Sequence, residues 1–350
     1  MKEDLKTLTL SEIKIRLEKM GEKAYHARQL ALWIYQRGLA DFDRMTDLSR
    51  SCRQKLSDSF YISEPSLIMV RQAEDHSAKC VFRLADGFEI ESVLIPDQDR
   101  LTLCISTQIG CRQGCRFCVT ARMGFIRNLY AHEIVDQIIQ VRKHLSLGEK
   151  PFNVVLMGMG EPLDNYRNTV QAIRLMTSDM GLNISPRRIT LSTAGLVPQI
   201  YQLSREHLGI NLAVSVNAPC DTIRDPLMPI NRRYNLDSLM KSLREFPIPV
   251  RRRITIEYIL IEGLNDSPEA ARQLCRMLHG VRCKVNLIPY NTNPCLPYRE
   301  PSEACLKEFQ EILSRHYLTA TIRRSKGRDV HAACGQLGYQ YLRGDAPGLG

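Results

Sequence analysis

Residues 101–118 read LTLCISTQIGCRQGCRFC. The apolar run Leu101–Ser106 has the length and composition of a buried strand, and Gly110 marks a turn just beyond it. Three cysteines follow at C-x3-C-x2-C spacing: Cys111, Cys115 and Cys118. Three thiolates on a loop at the C-terminal end of a strand can wrap one face of a soft metal centre. Structural zinc usually takes four ligands in two paired motifs, and the chain has no second pair. A cubane iron–sulfur cluster takes four cysteines, so three would leave one iron without a protein ligand.

Outward from this loop the pattern repeats. Strand-like runs at Leu101–Ser106, Phe152–Met157, Arg188–Ser192, Ile210–Val216, Ile254–Ile261 and Cys283–Ile288 alternate with helical segments. Such repetition predicts an α/β fold with a parallel sheet, and six units fit a partial (β/α)6 barrel better than a full eight-unit one. Polar or glycine-rich segments sit where these strands should end. They are Gly158-Met-Gly160-Glu161-Pro162, Ser192-Thr-Ala-Gly195, Ser215-Val216-Asn217 and Asn291. Residues at the C-terminal ends of barrel strands form sites, and glycines there let backbone approach a ligand.

The first sixty residues read as helical. Thr9 and Glu12 form a capping box ahead of Ile13, Leu17 and Met20; a second helix spans about 24–38, stopped by Gly38; a third lies near 47–57. Short alternating runs follow at Ser66–Gln72, Cys80–Leu84 and Phe88–Ile95, with Asp86-Gly87 as a hairpin turn. The expected division is a helical accessory domain over 1–62, a β-hairpin linker over 63–96, the barrel over 97–330, and a C-terminal loop and frayed tail over 331–350.

Net charge is +10, from 48 Lys+Arg against 38 Asp+Glu. Residues 1–95 are balanced, so the excess lies in the barrel, at Arg187-Arg188, Arg232-Arg233, Arg251 to Arg253 and Arg323-Arg324 with Lys326 and Arg328. Such clusters suit a phosphate backbone, although solvated loop charges would look the same. No run approaches the roughly 18 apolar residues of a membrane span, and the charged N-terminus lacks an apolar signal core, which predicts a cytoplasmic protein. A reducing compartment argues against stable bridges among the 12 cysteines.

With an aromatic before its last cysteine, the C-x3-C-x2-C loop resembles that of the radical S-adenosylmethionine superfamily. The resemblance implies one [4Fe-4S] cluster on Cys111, Cys115 and Cys118, with S-adenosylmethionine on the open iron. It also implies cofactor contacts from Gly160, Glu161, Ser192, Ser215, Val216, Asn217 and Asn291. Within the superfamily, the chain is similar to the adenine-C2 RNA methyltransferases along nearly its whole length. The stretches that carry this are YHARQLALWIYQRG, ESVLIPD (91–97), RNLYAHEIVDQI (127–138), LMPINRRYNLDSL (227–239) and GRDVHAACGQL (327–337).

That family's chemistry explains two further cysteines. C2 of adenine has no lone pair, so ordinary polar methyl transfer fails. By resemblance, Cys334 takes a methyl group as thiolate from one S-adenosylmethionine. A 5′-deoxyadenosyl radical from a second one activates that methyl, which adds to C2. Cys104 then attacks the Cys334 sulfur, and a transient disulfide releases the product. Glu91 matches the family's proton acceptor, and Cys104 remains an alternative for that role. Taken alone, Cys104 and Cys334 read equally well as packed small residues, and Glu91 as a solvent-facing strand residue. At Ser215-Val216-Asn217 the family more often has Ser-Leu-His, which puts any proton transfer there in doubt.

The implied partners are 23S ribosomal RNA at adenosine 2503, transfer RNAs at adenosine 37 in some members, and a flavodoxin- or ferredoxin-like electron donor. A monomer is expected. The nearest rival is a C8-specific adenine methyltransferase of the same superfamily; a rival of another class is a non-catalytic metal-binding RNA protein. A methylthiotransferase would need a further N-terminal cysteine cluster, which the chain lacks.

Overall fold

In a computed structural model the chain is described over residues 2–98, 100–145, 147 and 151–339. The expected frayed tail at the chain's end lies outside these residues.

The N-terminal module holds α1 (Leu10–Lys19), α2 (His26–Ala31) and α3 (Arg50–Ser59), and its ends meet where β1 (Glu3–Asp4) pairs with β2 (Phe60–Tyr61). Thr9 and Glu12 make the reciprocal capping box that opens α1, and Ser49 caps α3. The predicted single helix over 24–38 is α2 continued by a π turn, Leu32–Gln36. Leu17, Leu30, Ile34, Met45 and Leu56 are buried in a core continuous with that of the barrel. The module is also tied there by charge: Lys6 Nζ donates to Asp136 at 2.7 Å, both side chains buried.

Next come β3 (Ser66–Gln72), β4 (Ala78–Arg83), β5 (Glu89–Asp97) and β6 (Arg100–Cys104), each antiparallel to the one before. The expected hairpin is therefore a three-stranded meander, β3–β5, hydrogen-bonded directly to the first barrel strand. β3 is the exposed edge, which is why its apolar pattern is weak.

A short antiparallel pair, β7 (Gln108–Gly110) with β8 (Phe125–Asn128), flanks the cysteine loop, and α4 (Val119–Arg122) starts directly after Cys118. α5 (Ala131–His144) then leads to β9 (Phe152–Leu156). The repeat continues with α6 (Tyr166–Thr177), β10 (Ile189–Thr193), α7 (Val197–Ser204), β11 (Asn211–Ser215), α8 (Asp221–Leu227), α9 (Leu236–Glu245), β12 (Ile254–Leu260), α10 (Pro268–Met277), β13 (Cys283–Pro289), α11 (Glu303–Arg315) and β14 (Ala320–Ile322). One sheet runs in the order β14-β13-β12-β11-β10-β9-β6-β5-β4-β3. From β6 to β14 every pairing is parallel.

All six expected barrel strands are present, and the partial barrel gains a short seventh, β14. Three polar-flanked residues were too few to register as a strand run. The helices cover the outer face, so the inner face and the C-terminal strand ends are left for a site. Among the described residues, no helix is long and apolar enough to cross a membrane.

Candidate active site

The cysteine loop is fixed by backbone at both ends. The Cys111 amide donates to the Gly124 carbonyl at 2.9 Å. At Gly110, with φ +72°, a Cβ would stand 1.8 Å from that same carbonyl oxygen, so only glycine fits the turn. Cys111, Cys115 and Cys118 line a cavity of about 160 Å³ shared with Gly160, Glu161, Ser192 and Ser215. Burial pushes the thiol of Cys111 up to about 12 and raises Cys115 and Cys118 as well; the loop's other sulfurs push Cys115 further. Such a set resists becoming three bare thiolates and suits a cationic iron–sulfur group that neutralises them. One side of the set opens to the cavity, where a small polar molecule could reach the group.

Glu161 is buried, and its carboxylate is held by backbone. Oε1 accepts from the Leu163 amide at 3.0 Å and Oε2 from the Ala194 amide at 2.7 Å. Burial moves it up to about 7, against the pull of these donors. It thus shapes the cavity wall while joining the ends of β9 and β10.

Three expected cofactor contacts are not among the residues lining this cavity: Val216, Asn217 and Asn291. Asn217 has φ +58°, a conformation asparagine tolerates, and its Oδ1 accepts from the Ile259 amide at 2.8 Å. It pins the end of β11 to β12. Asn291 Nδ2 donates to the Cys334 carbonyl at 3.0 Å and to Ser325 Oγ at 2.9 Å, so it holds the C-terminal loop.

That loop brings Cys334 in. The Val119 amide donates to the Gly335 carbonyl at 2.8 Å, and Thr120 Oγ1 to the Leu337 carbonyl at 2.8 Å. The loop therefore docks on the first turn of α4, directly after Cys118. Cys334 and Cys118 line the small cavity and also a second, larger one of about 690 Å³. Cys104, at the end of β6, faces the larger cavity too. Its burial and the neighbouring Cys334 push its thiol up to about 12. Cys334 is open to the cavity yet deep among protein atoms, and this separation from bulk water raises it also.

Glu91 is not a solvent-facing strand residue: it is fully buried. Oε2 accepts from the Gly338 amide at 3.1 Å, and Oε1 stands 3.6 Å from the buried Lys79 ammonium. Burial raises the carboxyl, and Lys79 opposes this. Glu91 lines neither cavity, so its direct contact is with the loop that carries Cys334.

Sequence reasoning missed Arg224 and Glu257, and gave Arg323 only as one of a basic cluster. Arg224 is buried; it donates to the carbonyls of Ala194, Ser215 and Val216, and so locks the ends of β10 and β11. Glu257 lines the small cavity and Arg323 lines both; Arg323 lowers Cys334, Cys104 and Glu257 alike. Glu257 did leave a signal, as the single charge inside the apolar strand ITIEYIL.

Comparison with known proteins shows the family. The family model described as Ribosomal RNA large subunit methyltransferase N-terminal domain matches residues 3–62, and that described as Radical SAM superfamily matches 105–275. A Dual-specificity RNA methyltransferase RlmN of Syntrophus aciditrophicus is 51% identical over 334 residues, covering 95% of this chain and 96% of the relative. The chain belongs to the RlmN family. The RlmN protein of Syntrophobacter fumaroxidans is 47% identical, covering 96% of this chain and 98% of the relative. A crystal structure of a radical SAM methyltransferase from Sphaerobacter thermophilus superposes with a TM-score of 0.90 at 42% identity, covering 96% and 99% of the two chains. The radical SAM class implies a [4Fe-4S] cluster and S-adenosylmethionine, and the cysteine loop fits both.

Proposed function

We propose that this RlmN-family chain methylates C2 of an adenine in 23S ribosomal RNA and in transfer RNA through Cys334. One observation carries the reading: Cys334 stands between two cavities, one shared with the cysteine loop and the other with Cys104. When bound, the cluster and S-adenosylmethionine supply the methyl group and a one-electron route to activating its C–H bond. Cys111, Cys115 and Cys118 hold the cluster; Gly160, Glu161, Ser192 and Ser215 wall the space for S-adenosylmethionine. Val216, Asn217 and Asn291 act one step back, by fixing strand ends and the Cys334 loop.

The chain's own residues do the rest. Arg323 favours the thiolate of Cys334, which accepts the methyl group. Once that methyl carbon is joined to C2, enzyme and RNA are one covalent species. The adduct then loses one electron, by the one-electron route the bound cofactors supply, and its C2 proton, to Glu91 or Cys104. Attack of the Cys104 thiolate on the Cys334 sulfur breaks the bond from that sulfur to the methylene carbon, which takes a proton, and leaves a disulfide and the methylated base. A flavodoxin- or ferredoxin-like protein supplies electrons, and the chain works as a monomer in the cytoplasm, where its RNA substrates are.

The Cys104→Ala variant tests this. Loaded with cluster and given S-adenosylmethionine, reductant and RNA, it should accumulate an RNA adduct on Cys334, because addition does not need Cys104 and release does. Mass spectrometry of the Cys334 peptide locates the adduct, and sequencing the attached fragment names the adenosine. A fully loaded variant that forms no adduct, beside an active wild type, would end this reading of Cys104.

A further inference from the structure

We propose that the N-terminal module carries a zinc site formed by Glu22, His26 and Cys52. The inference is independent of the methyltransferase reading. The three side chains offer a carboxylate oxygen, an imidazole nitrogen and a sulfur, and these atoms all lie within 4.8 Å of one another. His26 Nδ1 stands 3.4 Å from Glu22 Oε2 and 3.8 Å from Cys52 Sγ. Tetrahedral zinc at ordinary bond lengths separates an N and an O ligand by about 3.4 Å, and an N and an S ligand by about 3.6 Å. The spacing is therefore close to that of a coordination polyhedron. A hydrogen-bonded Cys–His pair alone would not require the carboxylate on the same side.

The placement is also built rather than incidental. Glu22 lies in the turn between α1 and α2, His26 opens α2, and Cys52 sits in the first turn of α3, its amide capped by Ser49 Oγ at 3.1 Å. Cys52 is fully buried, and the side chains of Glu22 and His26 are 12% and 11% exposed. Lys55 Nζ holds the other carboxylate oxygen, Oε1, at 2.7 Å and the Met20 carbonyl at 3.0 Å. That outer contact fixes the carboxylate with Oε2 turned toward His26, as partners behind a ligand do in metal sites. A sulfur, an imidazole and a carboxylate together favour zinc over magnesium or calcium. On binding, the Cys52 thiol gives its proton to solvent, and a water can complete the fourth position. The result is a clip between α3 and the α1–α2 turn.

The test uses the full chain with Cys111→Ala, Cys115→Ala and Cys118→Ala, so that metal on the cluster loop cannot confuse it. We expect about one zinc per chain by elemental analysis after dialysis. Cobalt(II) should give a thiolate-to-cobalt charge-transfer band with strong tetrahedral d–d absorption. Adding Cys52→Ser should abolish the charge-transfer band, and His26→Gln should weaken binding by tenfold or more. No thiolate–cobalt band in the starting variant, or a band unchanged by Cys52→Ser, overturns the proposal. Should Cys52→Ser not fold, the zinc X-ray absorption spectrum of the starting variant decides. A shell with one sulfur and one imidazole nitrogen is expected, and a shell without sulfur overturns the site.

Discussion

The proposed chemistry asks Cys334 to be nucleophilic in a place that disfavours thiolates. Burial raises it, and of the groups acting on it Arg323 is the cation that pulls the other way. The sign follows directly: removing Arg323 raises the thiol further and leaves less thiolate at neutral pH. Arg323→Met should slow alkylation of Cys334 by about three- to tenfold at pH 7.5 and move the rise of rate with pH to higher pH. Peptide mapping after timed iodoacetamide labelling measures this. An unchanged pH profile would mean that the Arg323 charge does not set the Cys334 thiol. Arg224, by contrast, gives its donors to backbone carbonyls and Asn231, which is an architectural role, while its charge lowers the nearby Cys115 thiol.

The C-terminal loop is the element on which the site turns, and Glu91 is one of its anchors. Glu91→Gln keeps an oxygen for the Gly338 amide but gives up the charge; Glu91→Ala gives up both and leaves Lys79 buried without its carboxylate. Hydrogen exchange over residues 331–339 should quicken at least tenfold in Glu91→Ala and stay near wild type in Glu91→Gln. If Glu91→Gln is then inactive with a protected loop, the carboxylate itself takes part in the chemistry. Protection retained in Glu91→Ala would show that the loop does not depend on it.

The same element explains what could be read beforehand. The cysteine loop was legible because its spacing is local, and the barrel strands because each is a short apolar run between helices. The burial of Glu91 was not. It alternates with Phe88, just before β5, and Ile90 on it, which reads as one wet face and one dry one. Both faces are in fact covered from Glu89 to Leu94, the second by residues near 338. No local pattern announces a cover that arrives some 247 residues later. Lys79 on β4 was hidden in the same way.

At the scale of the whole molecule, part of the basic excess lines the interior of the partial barrel. The larger cavity runs from Cys104 and Cys334 to the N-terminal strand ends, where Arg100, Arg187 and Arg188 line it; Arg324 and Lys326 stand by β14. If Arg100, Arg187 and Arg188 meet phosphates, changing all three to Gln should flatten the plot of log affinity against log salt. The slope should change by about 0.7 to 0.9 for each phosphate that is no longer neutralised. Filter binding across a salt series reads it, and an unaltered slope would place the RNA elsewhere on the surface.

The docking of the Cys334 loop also has a consequence in time. Thr120 and Leu337 are 217 residues apart, and Glu91 and Gly338 are 247 apart. Contacts of such separation form late, because the chain between them must be ordered first. During synthesis the cysteine loop is therefore complete long before residue 334 leaves the ribosome. Through that interval the loop's thiols are uncovered on one side, so the cluster of the proposed chemistry could be installed before the C-terminal loop closes over them.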